Sequence, residues 1–137
     1  MNQNILHTPE GVRDIYGEEY ARKLKLEEMI RARLKSFGYK DIQTPSFEFM
    51  DVFSKEIGTT SYRELYKFFD KDGNTLVLRP DFTPSMARCA AKYFMEMDMP
   101  IRFCYLGNTF TNTSALQGKL NEVTQMGAEL IGDGSVE

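Results

Sequence analysis

Hydrophobic positions between residues 17 and 37 recur at intervals of three and four, so Leu26, Ile30, Leu34 and Phe37 line one side of a helix otherwise carrying Lys and Glu. Gly38 follows as a residue suited to closing it. KDIQTP at 40–45 reads as a short extended piece, because Pro45 prevents a helix from running through. Phe49, Val52, Phe53 and Ile57 predict a second, shorter helical stripe ending near Gly58, and the polar TTSYRE at 59–64 predicts a loop. LYKFFD at 65–70 and TLVLR at 75–79 are β-rich runs flanking KDGN, where Asp72-Gly73 predicts a hairpin turn. Thr83 then predicts an N-cap with Pro84 as first helical residue, and Met86, Ala90, Tyr93, Phe94 and Met97 trace a helix face that must stop by Pro100. IRFCYLG at 101–107 predicts a strand, and NEVTQMGAELIG at 121–132 alternates with a period of two. Thr, Asn, Ser and Gly dominate the loop between them.

These elements do not alternate as regular βαβ units. The pattern therefore favours an α+β fold with an antiparallel β-sheet flanked by helices over a doubly wound parallel sheet. With 137 residues, 42% of them hydrophobic, the chain can bury one core. A net charge of −3 supplies no positive field for nucleic acid or an anionic membrane. No apolar run approaches the roughly 20 residues of a membrane span, and MNQNILHTPEG lacks the regions of a signal peptide, so a cytoplasmic protein is expected. Cys89 and Cys104 have neither CxxC spacing nor a neighbouring histidine, which points to free thiols rather than a metal site. His7 has no partner in the sequence for acid–base or metal work. The chain stops at Glu137 directly after a strand, so residues 1–137 are expected to be the N-terminal part of a longer domain.

Two stretches concentrate candidate chemistry. Along the last strand Val123, Gln125, Gly127 and Glu129 point one way, and the more apolar Thr124, Met126, Ala128 and Leu130 the other, suited to packing under helices. The first set could line a pocket, with Gly127 allowing close approach of a small polar ligand, Glu129 facing an ammonium and Gln125 offering an amide. Alternatively it is simply a solvent-exposed face, the ordinary outcome in antiparallel sheets. In LRPDFTPSMAR at 78–88, Asp81 and Thr83 offer an acceptor and a hydroxyl at a helix N-terminus, suited to an α-amino group. The competing reading leaves Thr83 as a cap, Asp81 as a turn residue and Arg88 on the solvent face.

TPEGVRDIYGEE at 8–19, FGYKDIQTPSFE at 37–48, ELYKFFDKDGNTLVLRPDFTPSMAR at 64–88, and RFCYLGNTF followed by NEVTQMGAELIG together resemble, in order, the start of the class II histidyl-tRNA synthetase catalytic domain. The resemblance implies an antiparallel sheet flanked by helices and a dimer interface near Pro45. It also aligns Asp81, Thr83, Gln125 and Glu129 with positions that contact the amino acid, making a histidine-like ligand the implied occupant.

The departures from that family are selective. Where a working synthetase carries Phe-Arg and a nearby acid, with the arginine on the α-phosphate of ATP, this chain reads Phe110-Thr111-Asn112-Thr113. A threonine cannot replace a guanidinium against developing phosphoryl charge. From Phe103 to Glu137 the only cation is Lys119, against four acids. Arg79-Pro80-Asp81-Phe82-Thr83 also stands in place of Arg-Pro-Glu-Gly-Thr. RPDFTP and GAELIG are similar instead to the synthetase's catalytically silent paralogues, the regulatory subunits of ATP phosphoribosyltransferase. That resemblance implies a subunit with no catalytic residues, cofactor or tRNA. It would assemble as a homodimer with the short-form catalytic subunit in the first step of histidine biosynthesis, and its pocket, which cannot activate histidine, either still binds L-histidine or is a relic. A histidyl-tRNA synthetase with an atypical nucleotide site is the alternative.

Overall fold

The computed structural model describes residues 3–53, 60–113 and 118–135. Two three-stranded sheets carry the fold. One has the order β1-β5-β6, built from β1 (Lys40–Asp41), β5 (Ile101–Phe110) and β6 (Glu122–Ile131). The other has the order β2-β4-β3, built from β2 (Phe47–Phe49), β3 (Lys67–Phe69) and β4 (Thr75–Leu78). The helices are α1 (Gly17–Ser36) and α2 (Thr83–Tyr93). The α+β class holds, with one refinement: β1 runs parallel to β5. Every other pairing is antiparallel.

β5 and β6 pair without a slip from Ile101↔Ile131 to Phe110↔Glu122, so side chains at 101, 103, 105, 107 and 109 share a face with 131, 129, 127, 125 and 123. α2 packs on that face. Phe82, Met86, Ile101 and Phe103 form the buried cluster, with Ile42, Phe94, Tyr105 and Ile131 against it. Full burial of such side chains contributes about 1.5–3 kcal/mol each. The expected division of β6 is therefore reversed: the face bearing Glu129 is the packed one, while Ala128 and Leu130 on the other are exposed. Side-chain alternation along one strand sets which residues share a face, but the partner helix decides which face is covered.

Helix α1 forms where expected, and Gly38 closes it at φ 81°, its N–H donating to Lys35 O at 3.0 Å. None of its residues is buried; Leu26, Ile30 and Phe37 are exposed and Leu34 is half-buried. The second helical stripe does not form. Phe49 lies in β2, and a single 3-10 turn, Met50–Val52, follows; Ile57 and Gly58 lie outside the described residues. The β3–β4 hairpin does form, with Gly73 at φ 84° and Asp70 Oδ1 accepting from the N–H groups of Asp72 and Asn74, both at 2.9 Å. β5 runs three residues further than its sequence pattern, to Phe110.

The start of α2 differs from expectation. Phe82, not Thr83, is the residue preceding the helix, and Thr83 is its first member. Met86 and Ala90 are buried and Phe94 packs edge-on against Phe103 at 4.9 Å, while Tyr93 and Met97 are exposed because the helix ends at Tyr93. Among the described residues no helix is long and apolar enough to cross a membrane. Both cysteines are free thiols, Cys104 buried and Cys89 half-buried.

Candidate functional site

The chain leaves β4 at Leu78, turns through Arg79-Pro80-Asp81-Phe82 and enters α2, which sets these residues over the β5–β6 face. Arg79 anchors the turn. Its N–H donates to Ser46 O at 3.0 Å and its own carbonyl accepts from Phe110 N–H at 2.9 Å, so its backbone bonds to the segments leading into both sheets. Its buried guanidinium donates through Nε to Asn108 O at 2.7 Å and through Nη1 to Thr44 O at 3.0 Å and Pro45 O at 3.2 Å. Burial pulls its pKa below the usual guanidinium value, and it stays charged at any working pH.

From Arg79 a stack extends across β5. The guanidinium lies 4.1 Å from the Phe82 ring centre, and the Phe82 and Tyr105 rings are nearly parallel at 4.2 Å. Tyr105 then reaches over Gly127 on β6: a Cβ at Gly127 would lie 2.4 Å from the Tyr105 hydroxyl. The close approach that Gly127 was expected to offer a ligand is thus taken by Tyr105.

Three of the four predicted ligand residues converge beside this phenol. Thr83 Oγ1 donates to Glu129 Oε1 at 2.7 Å across the gap between α2 and β6. Asp81 Oδ1 accepts from the Thr83 N–H at 3.3 Å, so Asp81 does the capping and the threonine hydroxyl is free for Glu129. Burial raises the Tyr105 pKa, and the negative charges of Glu129 and Asp81 add to the rise, keeping the phenol neutral and able to donate. Gln125 stands on the same face opposite Gly107, exposed, about 13 Å from Glu129 by strand rise. Two carboxylates, a hydroxyl and a phenol at one end of the face suit an ammonium or an imidazolium. Tyr105 and Arg79 are the members that sequence reasoning missed; the signal for Tyr105 was its place opposite Gly127, legible only once the register is known.

Arg88 does not face solvent as expected. Its Nε and Nη2 donate to Glu48 Oε1 at 2.9 and 2.8 Å, and Glu48 is buried on β2.

Thr111 and Thr113, the positions that the family resemblance places at a nucleotide, are both bonded to Asn121. Thr111 N–H donates to Asn121 O at 2.9 Å, and Thr113 Oγ1 donates to Asn121 Oδ1 at 2.9 Å. Asn121 is buried; its N–H donates to Gly11 O at 2.6 Å and its Nδ2 to Glu10 O at 3.3 Å. Lys119 is exposed. Thr111 and Thr113 are therefore fastened through Asn121 to the stretch before α1.

A largely antiparallel sheet whose α2-covered face meets a strand-to-helix turn carrying acid and hydroxyl, with amide and acid on the facing strand, is the catalytic-domain fold of a class II aminoacyl-tRNA synthetase. Within that class the chain belongs to the histidyl-tRNA synthetase family, whose model matches residues 11–137. Similar relatives are the ATP phosphoribosyltransferase regulatory subunits of Ruminiclostridium cellulolyticum, 43% identical over all of this chain and 33% of that protein, and of Acetivibrio thermocellus, 43% identical over 93% of this chain and 30% of that protein. The resemblance drawn from RPDFTP and GAELIG is borne out by these names. The chain spans about a third of the length of the curated relatives it matches.

Among solved structures, an ATP phosphoribosyltransferase regulatory subunit/histidyl-tRNA synthetase from Bacillus halodurans superposes with a TM-score of 0.86 at 34% identity, covering 96% of this chain and 34% of that one. The apo histidyl-tRNA synthetase of S. aureus gives 0.76 at 27% identity, over 95% and 30%.

Proposed function

We propose that this chain is part of a non-catalytic regulatory subunit that assembles in the cytoplasm with the short-form catalytic subunit of ATP phosphoribosyltransferase, in the first step of histidine biosynthesis, and that its ligand face receives histidine. One observation carries the reading. The amino-acid end keeps Asp81, Thr83 and Glu129 together, whereas the nucleotide end holds Thr111 and Thr113 bonded to Asn121 with no cation on them. An adenylating enzyme needs fixed positive charge where phosphoryl oxygens become more negative, and neutral hydroxyls do not supply it. The names of the relatives support the same role.

Assembly as a homodimer fits the uncovered apolar side chains. Leu26 and Met29 of α1, Phe37 just after it, and Phe47 and Phe49 flanking the buried Glu48, are all more than half or about half exposed. The test is to mix the full-length protein with the short-form catalytic subunit and assay ATP phosphoribosyltransferase activity. Stimulation with co-elution is expected; neither occurring would end the proposal.

The similar structures also include one named histidyl-tRNA synthetase, from S. aureus. Histidine-dependent exchange of pyrophosphate into ATP separates the two readings. None is expected, and a robust exchange signal would assign the chain to a synthetase.

A further inference from the structure

The connection from α2 to β5 folds back onto the end of the β1-β5-β6 sheet. Phe94 N–H donates to Ala90 O at 2.9 Å and Met97 N–H to Phe94 O at 3.1 Å, while the Phe94 ring rests edge-on against Phe103. Met99 is pressed against Gly132, just beyond β6, where a Cβ would lie 2.6 Å from its Sδ. Beside this pinned connection, between the turn after α1 and the start of β5, lies a cavity of about 240 Å³. Gly38, Lys40, Phe94, Met97, Ile101 and Arg102 line it.

Its floor is apolar and its rim is positive. Ile101 and Phe103 are buried and Phe94 is half-buried, whereas Met97, with Met95 and Met99 on either side of it in sequence, is exposed. Thioether side chains are flexible and polarisable, which suits them to closing around the apolar side chain of a partner. Lys40 and Arg102 are exposed and enter no ion pair among the described residues; the lining also holds one acid, Asp98. Asp133 lies nearby, its pKa lowered first by the hydrogen bond from Ser135 and in smaller part by Arg102. From Arg31 to Asp41 four cations stand against one acid, and that acid is taken by Arg31 and Lys35. The local sign is therefore opposite to the net charge of −3.

We propose that this cavity is where the catalytic subunit docks, receiving from it a bulky apolar side chain flanked by carboxylates. The claim rests on the regulatory reading above and gives it a contact surface. The volume is below the roughly 300 Å³ at which small-molecule sites begin, and it suits a single side chain. A second copy of this chain is the poorer occupant, because seated cavity to cavity it would set Lys40 and Arg102 against the same cations. An acidic segment neutralises them at the rim while its apolar side chain displaces water from the floor.

The experiment is biolayer interferometry of the full-length protein on the immobilised short-form catalytic subunit, at low and at physiological ionic strength. Met97→Asp puts a charge on the apolar floor and should weaken binding by about 30-fold, the mark of a buried anchor. Lys40→Glu and Arg102→Glu, at exposed positions where folding is not at stake, should each weaken it by about 5- to 10-fold. The loss should come mainly from slower association and should reduce the salt dependence. Lys71→Glu, on the exposed β3–β4 turn, makes the same change of net charge elsewhere and should bind as the wild type does.

Binding that Lys40→Glu, Arg102→Glu and Met97→Asp leave intact overturns the docking surface while the regulatory reading stands. An equal loss in Lys71→Glu overturns it too, by reducing the effect to net charge. Sedimentation and unfolding of the variants alone expose the other occupants. A dimer broken by Lys40→Glu or Arg102→Glu assigns the cavity to a second copy, and a lowered unfolding midpoint with binding unchanged assigns it to another segment of the same protein; either result overturns the proposal. A wild type that does not bind the catalytic subunit refutes the regulatory reading, and the docking surface with it.

Discussion

Thr83→Val tests the bond that closes the amino-acid end. Valine keeps the shape of threonine but removes the hydroxyl, leaving Glu129 Oε1 without the donor now 2.7 Å away. A hydrogen bond to a charged acceptor contributes about 1.5–3 kcal/mol. Thr83 and Glu129 are both half-buried rather than enclosed, so solvent screening places this one near the lower limit, about 1.5 kcal/mol. The measurement is a double-mutant cycle with Glu129→Gln, read by urea unfolding of the full-length chain. With a slope of about 3 kcal/mol per molar urea, Thr83→Val should move the midpoint down by about 0.5 M. The two substitutions together should cost about 1–1.5 kcal/mol less than the sum of the singles. Additivity within about 0.5 kcal/mol would refute the claim that the bond couples α2 to β6.

Three further outcomes are expected. Arg88→Met should destabilise the fold by about 3–5 kcal/mol, more than Glu48→Gln, because it strands the buried Glu48 carboxylate on β2, whereas losing the acid leaves a partly exposed cation that water can reach; paired unfolding curves decide it. Toward a thiol reagent Cys89 should react in the native state and Cys104 only on unfolding. Burial first, then Asp41, raises the Cys104 pKa, so the neutral thiol is the stabilised form; this contribution is complete below the unfolded thiol pKa and lost as pH rises through the folded one. Thr111→Arg alone should give no histidine-dependent pyrophosphate exchange, because Thr113 still binds Asn121 and the second charge is still missing; detectable exchange would contradict this.

Local chemistry was legible where a single residue decides it. Gly73 had to be left-handed for Asp72-Gly73 to turn the hairpin, and Gly38 closed α1 for the same reason. Alternation marked β6 as a strand, since a period of two admits little else, and the β-rich run IRFCYLG marked β5. It could not say which face α2 would cover, and so the packed and open faces of β6 were exchanged. Phe49, Val52 and Phe53 had helical spacing, but so short a stripe carries little helix stability on its own, and pairing of β2 with β4 took Phe49 into a strand. At the site, Asp81, Thr83 and Glu129 could be nominated by type and by family resemblance. Tyr105 and Arg79 could not, because their roles depend on the β5–β6 register and on a loop more than thirty residues upstream.

Arg79 belongs to neither sheet, yet its backbone hydrogen-bonds to Ser46, just before β2, and to Phe110, at the end of β5, while its side chain spans Thr44 to Asn108. Separating the sheets means breaking all of these bonds at once and exposing a guanidinium already packed against Phe82. The two sheets therefore behave as one cooperative unit rather than two, and the amides of Arg79 and Phe110 should exchange with solvent only as fast as the domain opens globally. A small second sheet, three strands of three or four residues each, acquires in this way the persistence of the larger one.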